Sequence, residues 1–209
     1  MNEKVNEPKS ETGADDVRWD LSDLYQGLDD PALDRDVERF MELAEQFGKR
    51  HRGNLESTLG ESLEDQAVLR QLGDKLMVYL MLRRSTDATN AEIERRIAQA
   101  QERFSRAYAD HINFFEHELV EIADDEYEKA LAASAVAARH RPYLDHLRAN
   151  RQYLLSEEVE RALTLRSPYG PSEWSEYINE LEAELRFELD GETLNLPQLL
   201  HVASNDVAL

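Results

Sequence analysis

The residues that come nearest to a chemical signature are His117-Glu118-Leu119-Val120-Glu121, one position short of the zinc-binding pattern H-E-x-x-H. In that pattern the two histidines stand four apart, so both imidazoles leave one helix face and share a metal while the Glu between them acts as general base. Here the second histidine is replaced by Glu121. A carboxylate is an acceptable zinc ligand, but Leu119 and Ile122 put an apolar seam beside the pair. The expectation is that His117 and Glu121 face solvent with Glu116 and Glu118.

The other histidines make no better set. His111 lies on an apolar seam between Ala107 and Phe114 and reads as a packed core or boundary residue; it is six residues from His117 and points elsewhere. His140 and His146 are also six apart, with Pro142 between them, and His201 is isolated. His51 is read as a loop residue between Arg50 and Arg52, where a cation is disfavoured. No G-x-S-x-G, phosphate loop or G-x-G-x-x-G occurs among only 8 glycines. Acidic pairs such as Glu157-Glu158 are ordinary on exposed helices. Arg139, His140, Arg141, Arg148 and Arg151 form a basic patch, expected to be a salt-bridged face. The residues therefore nominate no catalytic, no metal-ligating and no cofactor-binding position.

These side chains must be positioned by helices. The longest periodic run is Asn90 to Ala123. One seam follows Ile93, Ile97, Ala100, Phe104, Ala107, His111 and Phe114; a second follows Tyr108, Ile112, Phe115, Leu119 and Ile122. Two adjacent seams predict a long central helix with several neighbours.

Before it, Trp19, Leu21, Leu24 and Tyr25 offer an apolar anchor, with Ser22 as a turn cap. Asp30-Pro31 starts a helix carrying Val37, Phe40, Met41, Ala44 and Phe47 up to Gly48. A second helix is expected to be capped near Ser62, with Asp65 completing a partial capping box, and to be buried on two sides by Leu69, Leu72, Leu76, Tyr79 and Leu80 with Met77, Val78, Met81 and Leu82. Thr89 and Asn90 lead into the long run.

After it, Tyr127 to Ala138 reads as one helix with Tyr127, Leu131, Ser134 and Ala138 inward. A short helix follows from Pro142, with Tyr143, Leu144, Leu147 and Leu154 inward, and Ser156 caps the next. Beyond the breaker Ser167-Pro168-Tyr169-Gly170-Pro171, another amphipathic face carries Trp174, Tyr177, Ile178, Leu181 and Leu185. Phe187 to Leu194 alternates about Asp190-Gly191, a hairpin signal. Pro197 opens a last helix from Gln198 to Ala203. Ser204-Asn205-Asp206 then reads as the cap of a further helix with three residues behind it, which predicts a truncated chain.

The fold class expected is all-α: a multi-helix bundle with a long central helix and a small β-hairpin near the C-terminus. Its divisions are a disordered acidic tail over 1–16, a helical lobe over 17–185, and the hairpin with the start of a truncated further domain over 186–209.

Composition limits function. The 209 residues carry a net charge of −20, from 44 acidic against 24 basic side chains, of which 19 are Arg and 5 Lys. Such a charge repels phosphate backbones and anionic lipid, which argues against nucleic-acid and membrane partners. No apolar run nears the roughly 20 residues that span a bilayer. The first residues lack a signal-peptide pattern, so a cytoplasmic location is expected. There is no cysteine for a disulfide, a thiolate zinc site or a nucleophile. Acidic excess with little lysine also fits a protein working in concentrated salt.

The order of segments resembles the N-terminal region of oligoendopeptidase F, in the thimet oligopeptidase-like family of zinc metallopeptidases. The matching pieces are Trp19-Asp20-Leu21-Ser22-Asp23-Leu24-Tyr25, Phe114-Phe115-Glu116-His117-Glu118-Leu119, Tyr143 through Arg151 followed by Leu155-Ser156-Glu157-Glu158, Trp174 through Leu181, and Asp190-Gly191-Glu192 with Leu199-Leu200. The resemblance implies a helical lobe that walls a deep channel in an enzyme for short peptides. It also implies that the zinc ligands and general base belong to a catalytic domain beginning about where these residues end. No zinc position carries over to this chain, which is expected to be inactive alone, with its own catalytic domain as partner. The alternative is a freestanding helical interaction module derived from such a peptidase.

Overall fold

The computed structural model describes residues 19–87 and 90–205. The expected tail over 1–16, Val17, Arg18, Thr89 and Asp206 lie outside them. The described residues form an all-α fold with a small antiparallel hairpin near the C-terminus, as the patterning predicts.

Helix α1, Pro31–His51, begins where expected: the Asp30 side chain accepts from the Ala32 N–H at 2.8 Å, and Pro31 occupies a first-turn position that needs no donor. Helix α2, Leu55–Thr86, is the longest single helix at 32 residues, about 48 Å at 1.5 Å per residue. It starts seven residues before the expected cap at Ser62. Ser62 is buried within it and donates to the Leu59 carbonyl at 2.8 Å, while Asp65 is engaged by Arg50 and His51. The turn at Arg52–Asn54 that separates α1 from α2 is thus short, and Leu55, Leu59 and Leu63 extend the apolar stripe.

The run from Asn90 forms as a helical stretch with one internal irregularity. Helix α3, Ala91–Ala107, is capped by the Asn90 side chain, which accepts from Glu92 and Ile93. A π-helical turn follows over Tyr108–Ile112, closed by the Asn113 N–H donating to the Tyr108 carbonyl five residues back, and helix α4 continues over Phe114–Glu121. The extra residue rotates α4 relative to α3. It explains why Ala109, on neither predicted seam, is buried, while Tyr108, expected inward, is 41% exposed.

Two apolar clusters share this scaffold. One gathers Tyr25, Leu33, Leu76, Tyr79, Leu80, Ile93 and Ile97 from the first loop, α1, α2 and α3. The other centres on Phe40, Phe47, Leu59, Phe114, Leu119 and Leu131. Leu72 and Phe104 border both clusters and join them. Trp19 stays 71% exposed, so the N-terminal anchor is Tyr25 with Leu21 and Leu24. The turn there is capped by Asp20, which accepts from the Ser22 N–H. Val78, expected to widen the buried face of α2, is half exposed.

The segment read as one helix from Tyr127 to Ala138 is two. Helix α5, Asp124–Ala133, ends at Ser134, whose backbone is extended and whose hydroxyl caps helix α6, Ala135–Arg139. A serine competes for backbone donors and favours a cap over a helix interior; Ala137 is then the buried residue and Ala138 is not. Helix α7, Arg141–Ala149, buries Leu144, leaving Tyr143 44% exposed. Helix α8, Glu157–Arg166, is capped by Ser156 as expected.

Helix α9, Pro171–Glu184, the hairpin β1 Phe187–Leu189 with β2 Glu192–Leu194, and helix α10, Leu196–Asn205, complete the chain. Asp190 and Gly191, both at positive φ, make the two-residue turn the Asp-Gly pair predicts. Ser204 and Asn205 belong to α10, whose last turn the Ser204 hydroxyl closes on the His201 carbonyl. No helix among the described residues is long and apolar enough to cross a membrane.

Candidate functional site

A groove of about 670 Å³ opens where α2, the π turn, α4, α7 and α8 meet. Leu63 and Leu69 of α2, Ile112 and Phe115 give it an apolar floor, and Leu154 closes one side. Polar groups stand around that floor: Gln66 and Arg70 from α2, Glu116 and His117 from α4, His140 and Tyr143 at α7, and Glu160 and Thr164 from α8. Tyr108, turned outward by the π turn, also lines the groove.

Each wall is held by identifiable contacts. The π turn lies hard against α1, where a β-carbon at Gly48 would stand 3.2 Å from the His111 carbonyl oxygen. Arg161 donates to Asp110 at 2.6 Å and Arg52 to Glu157 at 2.6 Å, while the Asn113 amide donates to the Thr164 hydroxyl at 3.0 Å. The first and third of these links fasten α8 to the π turn, and the second fastens it to the end of α1. The phenol of Tyr143 is held above its ordinary range, by burial first and by the charge of Glu116 second, with Arg70 acting in the opposite direction.

The near-zinc pentapeptide is dispersed by this geometry. His117 is half-buried on the groove wall and Glu121 is exposed. Glu118, in the position of a general base, instead accepts from the Gly53 N–H at 2.7 Å and braces the α1–α2 loop. The expectation that all four polar residues of this segment face solvent therefore holds for Glu116 and Glu121 alone. Among the described residues no group of three His, Asp or Glu side chains is placed to hold a metal ion.

The remaining histidines are separated. His111 is half-buried beside Gly48. His140 Nδ1 meets the Val136 carbonyl at 2.9 Å, His146 Nε2 meets the Asn150 amide, and His201 sits in α10. His51 corrects its reading most: it closes the last turn of α1, is fully buried, and bonds Thr58 and Asp65. Phe47 and His51 share one face of α1 at a spacing of four, which places His51 inward with Phe47. In the basic patch, Arg141 pairs with Glu128 and Asp145, and Arg148 pairs with Asp124 over the Tyr127 ring, so the expected salt-bridged face forms at these two residues.

A second surface was legible as a pattern but not as a place. The apolar residues of α9, Trp174, Tyr177, Ile178 and Leu181, are 45–68% exposed, and Val159 and Leu163 of α8 and Leu200 of α10 are exposed with them. Periodicity marks such a face without saying what covers it.

Residues 118–187 match the family model described as Oligopeptidase F. The match runs from the end of α4 to the start of the hairpin, a narrower span than the ordered segments that carried the resemblance. No curated protein and no solved structure matches the chain. Over residues 118–187, about a third of the chain, this helical protein is similar to the Oligopeptidase F family.

Proposed function

We propose that the chain is the helical N-terminal lobe of an oligoendopeptidase F-like zinc metalloendopeptidase acting on short peptides. In this reading the lobe walls the substrate channel, while zinc and its ligands belong to a catalytic domain that docks against it. The observation that carries the reading is the match over 118–187. The exposed apolar side chains of α8, α9 and α10 support it, because a face of this size is normally covered by a partner surface. The protein would then be cytoplasmic and would serve neither nucleic acid nor membrane.

The test is reconstitution. The chain is mixed with a separately produced catalytic domain carrying H-E-x-x-H from the same gene or a close relative, and quenched short peptides are supplied with zinc. Cleavage that needs both parts and is abolished by a chelator is expected. Chelator-sensitive turnover by this chain alone, or no association of the two parts, overturns the reading.

The same exposed face of α9 favours one alternative, a freestanding helical interaction module. DNA downstream of the Leu209 codon separates the two. An in-frame H-E-x-x-H supports the peptidase lobe, and a stop codon in an expressed, stable protein supports the module.

A further inference from the structure

Arg70 stands at the groove with no ion pair among the described residues, in a chain where most other arginines there have carboxylate partners. Its neighbours are aromatic. Tyr143 lies close enough to Arg70, Glu116 and Tyr108 to feel all three charges or dipoles, and both tyrosines line the groove while remaining more than two-fifths exposed. Between them lies the apolar floor of Leu69, Ile112 and Phe115.

We infer that this groove is a subsite for the C-terminal residue of a short peptide with a bulky apolar side chain. The side chain enters between Tyr108 and Tyr143 onto the apolar floor, where aromatic contact adds to area burial. The terminal carboxylate is taken by Arg70, whose planar guanidinium forms two parallel hydrogen bonds to such a group. Glu116 accepts from the amide N–H of the same residue. That N–H distinguishes a peptide from a free aryl carboxylate of the same size, for which Glu116 is only a repelling charge. The site rests on the peptidase reading for the nature of its ligand alone; the groove and its groups stand without it.

The test is titration of the intact 209-residue chain with acetyl-Gly-Gly-Phe, its C-terminal amide and 3-phenylpropionate, followed by isothermal calorimetry and amide chemical shifts. The free-acid peptide is expected to bind at least about tenfold more tightly than the amide or phenylpropionate, about 1.4 kcal/mol. Arg70→Gln should erase the preference for acid over amide, and Arg70→Lys should not restore it. Tyr143→Ala should weaken the peptide without removing that preference. Melting curves of the variants should match wild type, since Arg70 and Tyr143 are both surface residues. Equal binding of acid and amide, unchanged binding by Arg70→Gln, or no binding at millimolar peptide overturns the inference. Reconstituted peptidase activity that persists through those results leaves the proposed function intact, so the two fail separately.

Discussion

The imidazole of His51 is wholly buried, with Nε2 2.8 Å from Asp65 Oδ2 and Nδ1 2.9 Å from the Thr58 hydroxyl. One ring therefore ties the last turn of α1 to two points of α2 that lie about two turns apart, and it packs on Phe47 at a centroid distance of 4.9 Å. Replacing it leaves a cavity and deprives a carboxylate and a hydroxyl of a partner together. His51→Ala is expected to cost about 2–4 kcal/mol, read as a shift of the urea midpoint with unchanged slope. Asp65 keeps Arg50 as a partner, so Asp65→Asn should cost less. A His51→Ala protein as stable as wild type would show that the pairing of α1 with α2 needs no such clasp.

A three-group cluster at the other end of α1 sets an acid dependence. Asp36 accepts from Tyr25 at 2.7 Å and from Lys75 at 2.9 Å. Burial raises its carboxyl, but the hydrogen bonds from Lys75 and Tyr25, with the Lys75 charge, outweigh that and leave it below the ordinary range. Tyr25 itself is pushed upward, by burial and then by Asp36, so it remains the donor. A depressed carboxylate contributes stability that is fully present above its unfolded value near 3.9 and is lost as pH falls through the lower folded value. Asp36→Asn should thus be about 1–2 kcal/mol less stable at pH 7, and the gap should close below about pH 4. A gap that persists unchanged at pH 2 would mean the loss is packing and not charge.

These two clusters also show where sequence reasoning ends. Helix faces were legible because burial follows spacing: Phe40, Ala44 and Phe47, or Ile93, Ile97 and Ala100, are where periodicity puts them. Caps at Asp30, Asn90 and Ser156 were legible because a short polar side chain before a helix has one use. His51 was not, because its partners lie on the next helix and only the hairpin brings them near. The groove was hidden for a different reason. The π turn adds one residue between two seams that look continuous, and that residue turns Tyr108 outward and Ala109 inward. Tyr143 then lines a cavity although its spacing marks it as core.

The contact between α2 and α6 gives a prediction whose sign reverses with its neighbour. A β-carbon at Gly60 would collide with the side chain of Ser134, and nothing else lies within 4 Å of it. In wild type Gly60→Ala should cost about 1–2 kcal/mol, overpacking outweighing the gain in helix propensity of about 1 kcal/mol. With Ser134→Gly already in place, the collision is gone and the cap is weakened by only a few tenths of a kcal/mol. Gly60→Ala should then stabilise. Thermal unfolding of the four proteins in a double-mutant cycle measures this. Additive effects would show that the helices separate freely at this point.

Salt separates two opposing electrostatic effects. Most of the ion pairs are on the surface, as in Arg103–Glu38 and Arg50–Glu61, and each of these is worth about 0–1 kcal/mol, which screening diminishes. The net charge of −20 acts against the compact state, and screening relieves it. Repulsion involves every carboxylate at once, so its relief should win. The melting temperature should rise with KCl by about 2–4 °C for each kcal/mol relieved. The two origins of that rise differ in shape. The Debye length falls from about 30 Å at 0.01 M to about 10 Å at 0.1 M and about 3 Å at 1 M, so simple screening should be nearly complete by 1 M. A melting temperature that keeps climbing from 1 to 3 M KCl would mark a surface adapted to concentrated salt. A curve that falls from the first addition of salt would mean the ion pairs outweigh the repulsion, and the acidic excess would not limit stability.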